Sequence, residues 1–289
     1  IYMNFNITTP LTELIPSMSN TNKMIATNFN LENDSFSFEI NGVNFLFRKI
    51  KSGEFIMGAT DFRRDTLPPH QVKITRDFWM LETLVTQSQW FVLEGNSMAS
   101  MLAESEFETF NGIGNDYPIY LITWYEAVEF CDKLSNILKE YGYIAKLPTE
   151  AEWEYACRGG LYLPYSFGDT LDGTQANCNG KFPYGQSKLG RWREQATLVK
   201  QFSPNSNGLY DMHGNMWEWC QDWYSEHYYS ESPLCDPLGP EIGDKRVVRG
   251  GSWRSHAECC RSAFRDSDYP DYRGRTSGFR ICLKKQSHE

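Results

Sequence analysis

The chain has 289 residues, 28 basic against 37 acidic side chains for a formal charge of −9, and 40% apolar residues that include nine Trp. This composition excludes a disordered chain, and no apolar run approaches the 18 residues of a membrane-spanning helix. The acidic balance argues against nucleic acid as a partner.

Residues 1–36 are rich in Asn, Thr and Ser without a period and are expected to form an extended arm or tail. Residues 1–10 have neither a basic nor an apolar signal region, so no signal peptide is expected there. From Ser37 onward, residues 37–40, 44–47, 55–57, 71–74 and 78–80 read as short strands. Thr86, Thr123 and Thr149 each stand three residues before Gln89, Glu126 or Glu152, the pattern of a capping box that opens a helix. After Thr123, the residues Ala127, Cys131, Leu134 and Leu138 fall on one helical face. Gly95, Gly142 and Gly159 mark the three helix ends. Residues 160–200 read as long loops, and the Trp217, Trp219 and Trp223 rings as core and corner packing. Residues 246–249 and 278–281 read as late strands around an Arg-rich segment. No repeat or linker follows residue 37, so 37–289 is read as one α+β domain.

Catalytic signatures are missing: there is no nucleophile elbow, metalloprotease helix, phosphate loop or dinucleotide fingerprint. His213, beside Gly214, reads as a hydrogen-bonding loop residue. The eight cysteines, at 131, 157, 178, 220, 235, 259, 260 and 282, include no C-x-x-C pair, which excludes zinc-ribbon and thioredoxin-like sites. Their spacing leaves both an exported, bridged protein and a cytosolic one with buried thiols open. Asp211 and Glu218 flank a Gly214-Asn215 turn that suits either a hard cation such as calcium or simple hydrogen bonding to the turn. Residues 249–289 hold nine Lys and Arg against five acids, a local charge of +4. Arg261, Arg265, Arg273 and Arg280 suit forks onto carboxylates or carbonyls. Interleaved with His256, Phe264, Tyr269 and Tyr272, the segment reads as a recognition surface.

Residues 53–58, 147–160, 207–219, 249–253 and 278–280 together resemble the formylglycine-generating-enzyme-like, or sulfatase-modifying-factor, family over about residues 38–284. The resemblance implies an elaborated C-type-lectin-like fold of short twisted sheets, two or three helices and long loops. It implies disulfide pairs Cys131 with Cys282 and Cys157 with Cys260. It also implies calcium held by the side chains of Asp211 and Glu218 and the carbonyls of Gly214 and Met216. The copper-dependent oxidases of this family carry two metal-binding cysteines five residues apart after their Gly-Gly-Ser. Here Ser255 falls at the first of them. A hydroxyl does not replace a thiolate on soft Cu(I), so neither copper nor oxidase activity is expected. Such an oxidase, or another modifying enzyme of the family, is the alternative reading.

Within that group, residues 249–253, Ala257, 260–263, Arg265, Pro270, Arg273 and 278–280 resemble the C-terminal variable region of proteins diversified by retroelements, among them the treponemal variable proteins, which are surface lipoproteins. In those systems, adenine replacement turns Asn codons into many residues but never Lys, Gln, Glu, Met or Trp. Arg254, Ser255, His256, Cys259, Phe264, Asp266, Ser267, Asp268, Tyr269, Asp271, Tyr272, Gly274, Arg275 and Thr276 are all reachable from an Asn codon. Glu258 is not, and is taken as fixed or as a departure from that pattern. The resemblance implies a variable region over 249–281 on a binding protein with no chemistry of its own. Its ligand would be a variable protein or surface molecule. It would sit at the cell surface or outside the cell, touching membrane only through a lipid anchor not present in this chain. Trp253, Cys260, Ala263 and Phe279 are expected to be buried. Arg254, Ser255, His256, Phe264, Tyr269, Asp271, Tyr272 and Arg275 are expected to be exposed and close together.

Overall fold

A computed structural model describes residues 26–32, 34–60, 63–103 and 112–286. Its N-terminal sheet follows from alternating aromatic residues. After β1 (Ala26–Glu32), Phe36, Phe38 and Ile40 alternate with polar residues along β2 (Ser35–Ile40), and Phe45 and Phe47 do so along β3 (Val43–Ile50). The antiparallel pairing therefore buries one aromatic face, on which Phe38 and Phe45 stack with ring centroids 5.3 Å apart. The strands β4 (Gly53–Met57) and β5 (His70–Ile74) form a separate ribbon, and β6 (Phe78–Leu81) returns beside β3.

Four helices follow, α1 (Gln87–Glu94), α2 (Met98–Ala103), α3 (Trp124–Leu138) and, after β7 (Tyr143–Lys146), α4 (Glu150–Arg158). Both halves of the capping box form in α1, α3 and α4, at the three threonines expected. The helix α3 buries Ala127, Phe130, Cys131, Leu134 and Leu138 in the main core. Beyond the long loops, β8 (Trp217–Trp223), β9 (Arg246–Arg249), β10 (Arg265–Asp268) and β11 (Ser277–Phe279) build a second sheet in the order β10-β9-β8-β11. The last strand, β12 (Cys282–Lys285), inserts between β6 and β7, giving the first sheet the order β1-β2-β3-β6-β12-β7. The N-terminal sheet is thus completed only by residues that follow the Arg-rich segment.

Three expectations change. The arm expected over 1–36 is, from Ala26, the edge strand of the first sheet; residues 1–25 lie outside those described. Its polar residues face solvent at the edge, so it shows no apolar alternation beyond Ala26 and Phe29. The Trp-rich segment is a central strand, β8, as well as a source of core rings. The helix α2, too short for a period, was not anticipated. Among the described residues, no helix is long and apolar enough to cross a membrane.

Strand β8, its neighbour β9 and, beyond that, β10 carry a layer of buried charge. Glu218, Arg249 and Arg265 lie opposite one another in register across the three strands. Arg249 pairs with Glu154 of α4, Arg265 binds both oxygens of Glu150 at 2.6 and 2.8 Å, and Arg280 binds both oxygens of Glu218 at 3.0 Å. All six side chains are essentially excluded from solvent. The same guanidinium groups donate to the carbonyls of Ser262, Ala263 and Phe264 (from Arg249) and of Leu81, Glu82 and Tyr210 (from Arg280). The excess positive charge of residues 249–289 is therefore largely internal.

One buried acid in this layer lacks such a cation. Asp222 accepts the first N–H of α4, from Glu150, at 2.9 Å, while burial and then the Glu150 carboxylate push its carboxyl up to about 8. The folded chain keeps a proton that the unfolded chain releases above about pH 4. This contribution is complete below that pH and is lost as pH rises towards 8. Burial of His213, pushed down to about 4, acts oppositely at the acid end, where stability falls as pH drops from about 6.5 to 4. Asp222→Asn keeps an acceptor for the helix and has nothing to titrate. We expect it to shrink the loss of stability between pH 5 and pH 8, measured by denaturant unfolding, by on the order of 1–4 kcal/mol.

Candidate binding face

Residues 269–276, between β10 and β11, are docked on the start of α3 by main-chain bonds. The first N–H of α3, from Trp124, reaches the Pro270 carbonyl at 2.9 Å, and the Leu121 N–H reaches the Gly274 carbonyl at 3.0 Å. Arg273 closes the junction by donating to the Leu121 carbonyl at 2.9 Å and to Glu126 at 2.7 Å. Leu121 is held there at φ +61°, a left-handed conformation that costs a branched residue about 1 kcal/mol or more. The segment is a clamped loop rather than a free one.

The earlier stretch, 253–260, is clamped by the 164–192 loops. The Trp192 indole N–H donates to the Trp253 carbonyl at 3.1 Å, the Asn179 N–H to the Ser255 carbonyl at 2.8 Å, and the Tyr165 hydroxyl to the Ala257 carbonyl at 2.6 Å. His256 stacks on Phe182 at 3.9 Å between ring centroids. The two stretches are linked through Trp217. Its N–H bonds the Thr276 carbonyl, and its ring lies 6.0 Å from that of Phe264.

Of the fourteen candidate positions, Arg254, His256, Asp266, Tyr269, Asp271 and Tyr272 are exposed, and Ser255, Cys259, Ser267, Asp268, Arg275 and Thr276 are half-buried. Two are corrected. Phe264, expected outside, is buried under the Arg63 guanidinium 4.0 Å above its ring, and Gly274 is buried where its carbonyl caps Leu121. Trp253, Cys260, Ala263 and Phe279 are buried as expected, while Glu258, expected to be fixed, is exposed.

The face is not basic, as the residue count had suggested. Between 249 and 276 the charges that reach solvent are Arg254, Arg273 and Arg275 against Glu258, Asp266, Asp268 and Asp271. Burial, with Asp266 and Asp271 adding to it, raises the Asp268 carboxyl above its usual range. Aromatic rings complete the face: Tyr269, Tyr272 and, from α3, Tyr125 are each about half exposed. Phe182, Tyr125 and Lys245, whose ammonium lies 4.9 Å from the Tyr269 ring, come from outside the candidate segment and were missed. No local signal marks them, because only the tertiary fold brings them to it.

The calcium ligands that the family resemblance assigns do not fit a cation here. Both oxygens of Glu218 take donors, from Arg280 and from the Trp153 indole at 2.8 Å, so its charge is already neutralised by a buried guanidinium. Asp211 accepts the Lys200 N–H at 3.0 Å, burial pushes its carboxyl up to about 6, and the Gly214 carbonyl accepts the Met216 N–H. The structure joins none of the eight cysteines in a disulfide, so neither pair that the resemblance implies is bonded in it. Burial raises the Cys282 thiol, with Glu152 and nearby Cys131 adding to it. Cys157 is turned to the His213 ring and the Ser262 hydroxyl.

Comparison with known proteins places this geometry among relatives. The family described as sulfatase-modifying factor enzyme 1-like domain matches residues 47–285. A formylglycine-generating enzyme of Streptomyces coelicolor is 40% identical over 175 residues, 58% of this chain and 52% of that protein. The serine/threonine-protein kinase pkn1 of Chlamydia pneumoniae is 34% identical over 253 residues, 81% of this chain but 37% of the kinase. The chain thus spans about half and about a third of these relatives. Among solved structures, Treponema denticola variable protein 1 superposes with a TM-score of 0.72 at 28% identity, covering 87% of this chain and 99% of that one.

Two outcomes follow from the burial pattern and the ion pairing. Replacing Arg254, His256, Asp266 or Asp271 by Ser should change stability by no more than about 0.5 kcal/mol, whereas Phe264→Ala should cost about 3–5 kcal/mol in urea unfolding. A chelator should leave the melting temperature unchanged, since Glu218 is held by Arg280; a drop of several degrees, restored by calcium, would overturn this assignment.

Proposed function

This chain belongs to the sulfatase-modifying factor enzyme 1-like family, and we propose that it serves there as a ligand-binding display protein, with residues 254–276 as its diversified face. The observation that carries the reading is a division of labour along one segment. Main-chain groups and the side chains of Arg249 and Arg273 fix its path, while six of the fourteen candidate side chains project into solvent, and of these His256 alone is stacked on a ring of the clamping loops. Changing those residues changes contacts without changing the scaffold. Because the path is already fixed, a ligand is met without the entropy loss of ordering a loop. The likeness to Treponema denticola variable protein 1 over nearly its whole length supports the same reading.

The ligand is a protein or surface molecule that differs between variants, and the chain works at the cell surface, joined to membrane through a lipid anchor outside this sequence. The alternative, a formylglycine-generating oxidase, draws on the 40% identity to the Streptomyces enzyme. Against it, the Ser255 hydroxyl sits where the oxidases resembled here place a metal-binding thiolate, and it is bonded to the Ser252 N–H and hydroxyl at 3.0 Å each.

A phage library randomised at Arg254, His256, Asp266, Tyr269, Asp271 and Tyr272 and panned on two unrelated proteins tests the reading. Most clones should keep melting temperatures within a few degrees of the parent, and each target should select its own sequences. A library that mostly fails to fold, or Cu(I)-dependent conversion of a cysteine peptide to an aldehyde by the parent chain, would favour the oxidase.

A further inference from the structure

Arg249, Arg265 and Arg280 each end on a buried carboxylate, but Arg246, the first residue of β9, ends between two indoles. Its guanidinium carbon lies 3.7 Å from the Trp124 ring centroid and 3.4 Å from that of Trp223. Strand register explains the second contact. Arg246 stands opposite Trp223 of β8 on one side and Asp268 of β10 on the other, so the three side chains share one face of the second sheet. The helix α3 brings the first. Trp124 is fixed by its indole N–H on the Cys220 carbonyl and its main-chain N–H on the Pro270 carbonyl, each at 2.9 Å.

The clamped guanidinium has donors to spare. Nη1 donates to the Gln221 carbonyl at 2.7 Å, Nε is buried without an acceptor, and Nη2 has no acceptor in the chain and reaches solvent. Among the described residues, no carboxylate forms an ion pair with it. Asp268, across the strand, accepts the Tyr269 N–H at 3.1 Å, and Asp222, beside Trp223, accepts the Glu150 N–H. Indole faces attract a cation but accept no hydrogen bond in its plane, so they leave the donor edge open.

We propose that the Trp124–Arg246–Trp223 stack is a carboxylate-binding site, and that it gives the display face a constant anchor beside its variable residues. None of the three belongs to residues 254–276, yet Trp124 is bonded to that segment at Pro270, and exposed Tyr125 stands edge-on to it at 5.5 Å. A planar donor edge matches a carboxylate, and a singly charged group meets less repulsion than a phosphate from Asp268 on the same face. The rings already hold the side chain in one position, so little ordering is lost on binding. Trp, Tyr and Arg are also the residues that dominate binding energy at protein interfaces. Carboxylate binding stands on this geometry; the role as an anchor rests on the display reading above.

The probe is phenylacetate, titrated at constant ionic strength into the isotope-labelled chain and followed by nuclear magnetic resonance, with phenylacetamide as the neutral control. Phenylacetate should shift the Trp124 indole N–H and the Arg246 Nε–H saturably, and phenylacetamide should not. Arg246→Gln should weaken binding by roughly tenfold or more. Asp268→Asn, which removes a like charge from the same face, should tighten it. Equal shifts with phenylacetamide, or phenylacetate binding unaltered by Arg246→Gln, overturn the proposal. If Arg246→Gln does not fold, the two probes on the parent and on Asp268→Asn decide. An amidated Tyr-Glu-Tyr and a Tyr-Gln-Tyr with a free C-terminus, both acetylated, present the carboxylate as a side chain or as a chain end. Displacement of phenylacetate by one supports the site and identifies the source; displacement by neither overturns a protein carboxylate as its ligand. Library clones selected on a protein should all lose affinity when Arg246→Gln is added, and clones unaffected by it overturn the anchor. A parent that binds phenylacetate but whose library yields no binders leaves the site standing and sinks the display reading.

Discussion

The layer of guanidinium–carboxylate pairs between α4 and the second sheet is the constraint on which the remaining architecture depends. An isolated buried charge is prohibitively expensive, so Arg249, Arg265 and Arg280 fold inward only together with Glu154, Glu150 and Glu218. Removing one partner leaves the other uncompensated, at a cost of about 3–5 kcal/mol, comparable to a large fraction of a domain's net stability. The pairs also fix orientation. A guanidinium that satisfies a bidentate carboxylate and two or three carbonyls has one acceptable position. Arg249 thereby sets the path of 262–264, and Arg280 ties the chain that follows β11 to β6 and the Tyr210 carbonyl.

That rigidity holds one stretch of chain in place while part of its side chains stay exposed. Side chains along it alternate between the interior charge layer and the solvent face, so neighbouring residues obey different rules. Arg265 is locked; Asp266 beside it is free of any structural ion pair among the described residues. Because many of the basic residues are consumed inside, the face shown to solvent is of mixed charge and aromatic, with Tyr125, Tyr269 and Tyr272 supplying broad contact area. Its far edge is lent by loops that carry no sheet of their own, through Phe182 under His256.

Sequence motifs were legible wherever the physics is local. The three capping boxes involve four consecutive residues each and formed as read, and the aromatic alternation of β2 and β3 fixed which face is buried. Five ordered motifs were enough to indicate the family and the C-type-lectin-like fold. Legibility failed where a partner lies far along the chain. Phe264 looked like one more variable aromatic until Arg63, some two hundred residues earlier, covered it. The place of His213 was equally hidden: its ring lies 3.7 Å from the Cys157 sulfur and is bonded to the Cys260 carbonyl at 2.8 Å.

The sequence by itself determined the three capped helices, most strands, the family and the absence of a thiolate at Ser255. Those properties reside in residue type and short spacing. Only the tertiary structure decided which charges reach solvent and that Glu218 is held by an arginine. Each of these depends on what the chain brings to a point from tens to some two hundred residues away. Burial converts that juxtaposition into energy: the same Arg that is a soluble, adherent side chain on the surface becomes, beside Glu218, a neutralised strut.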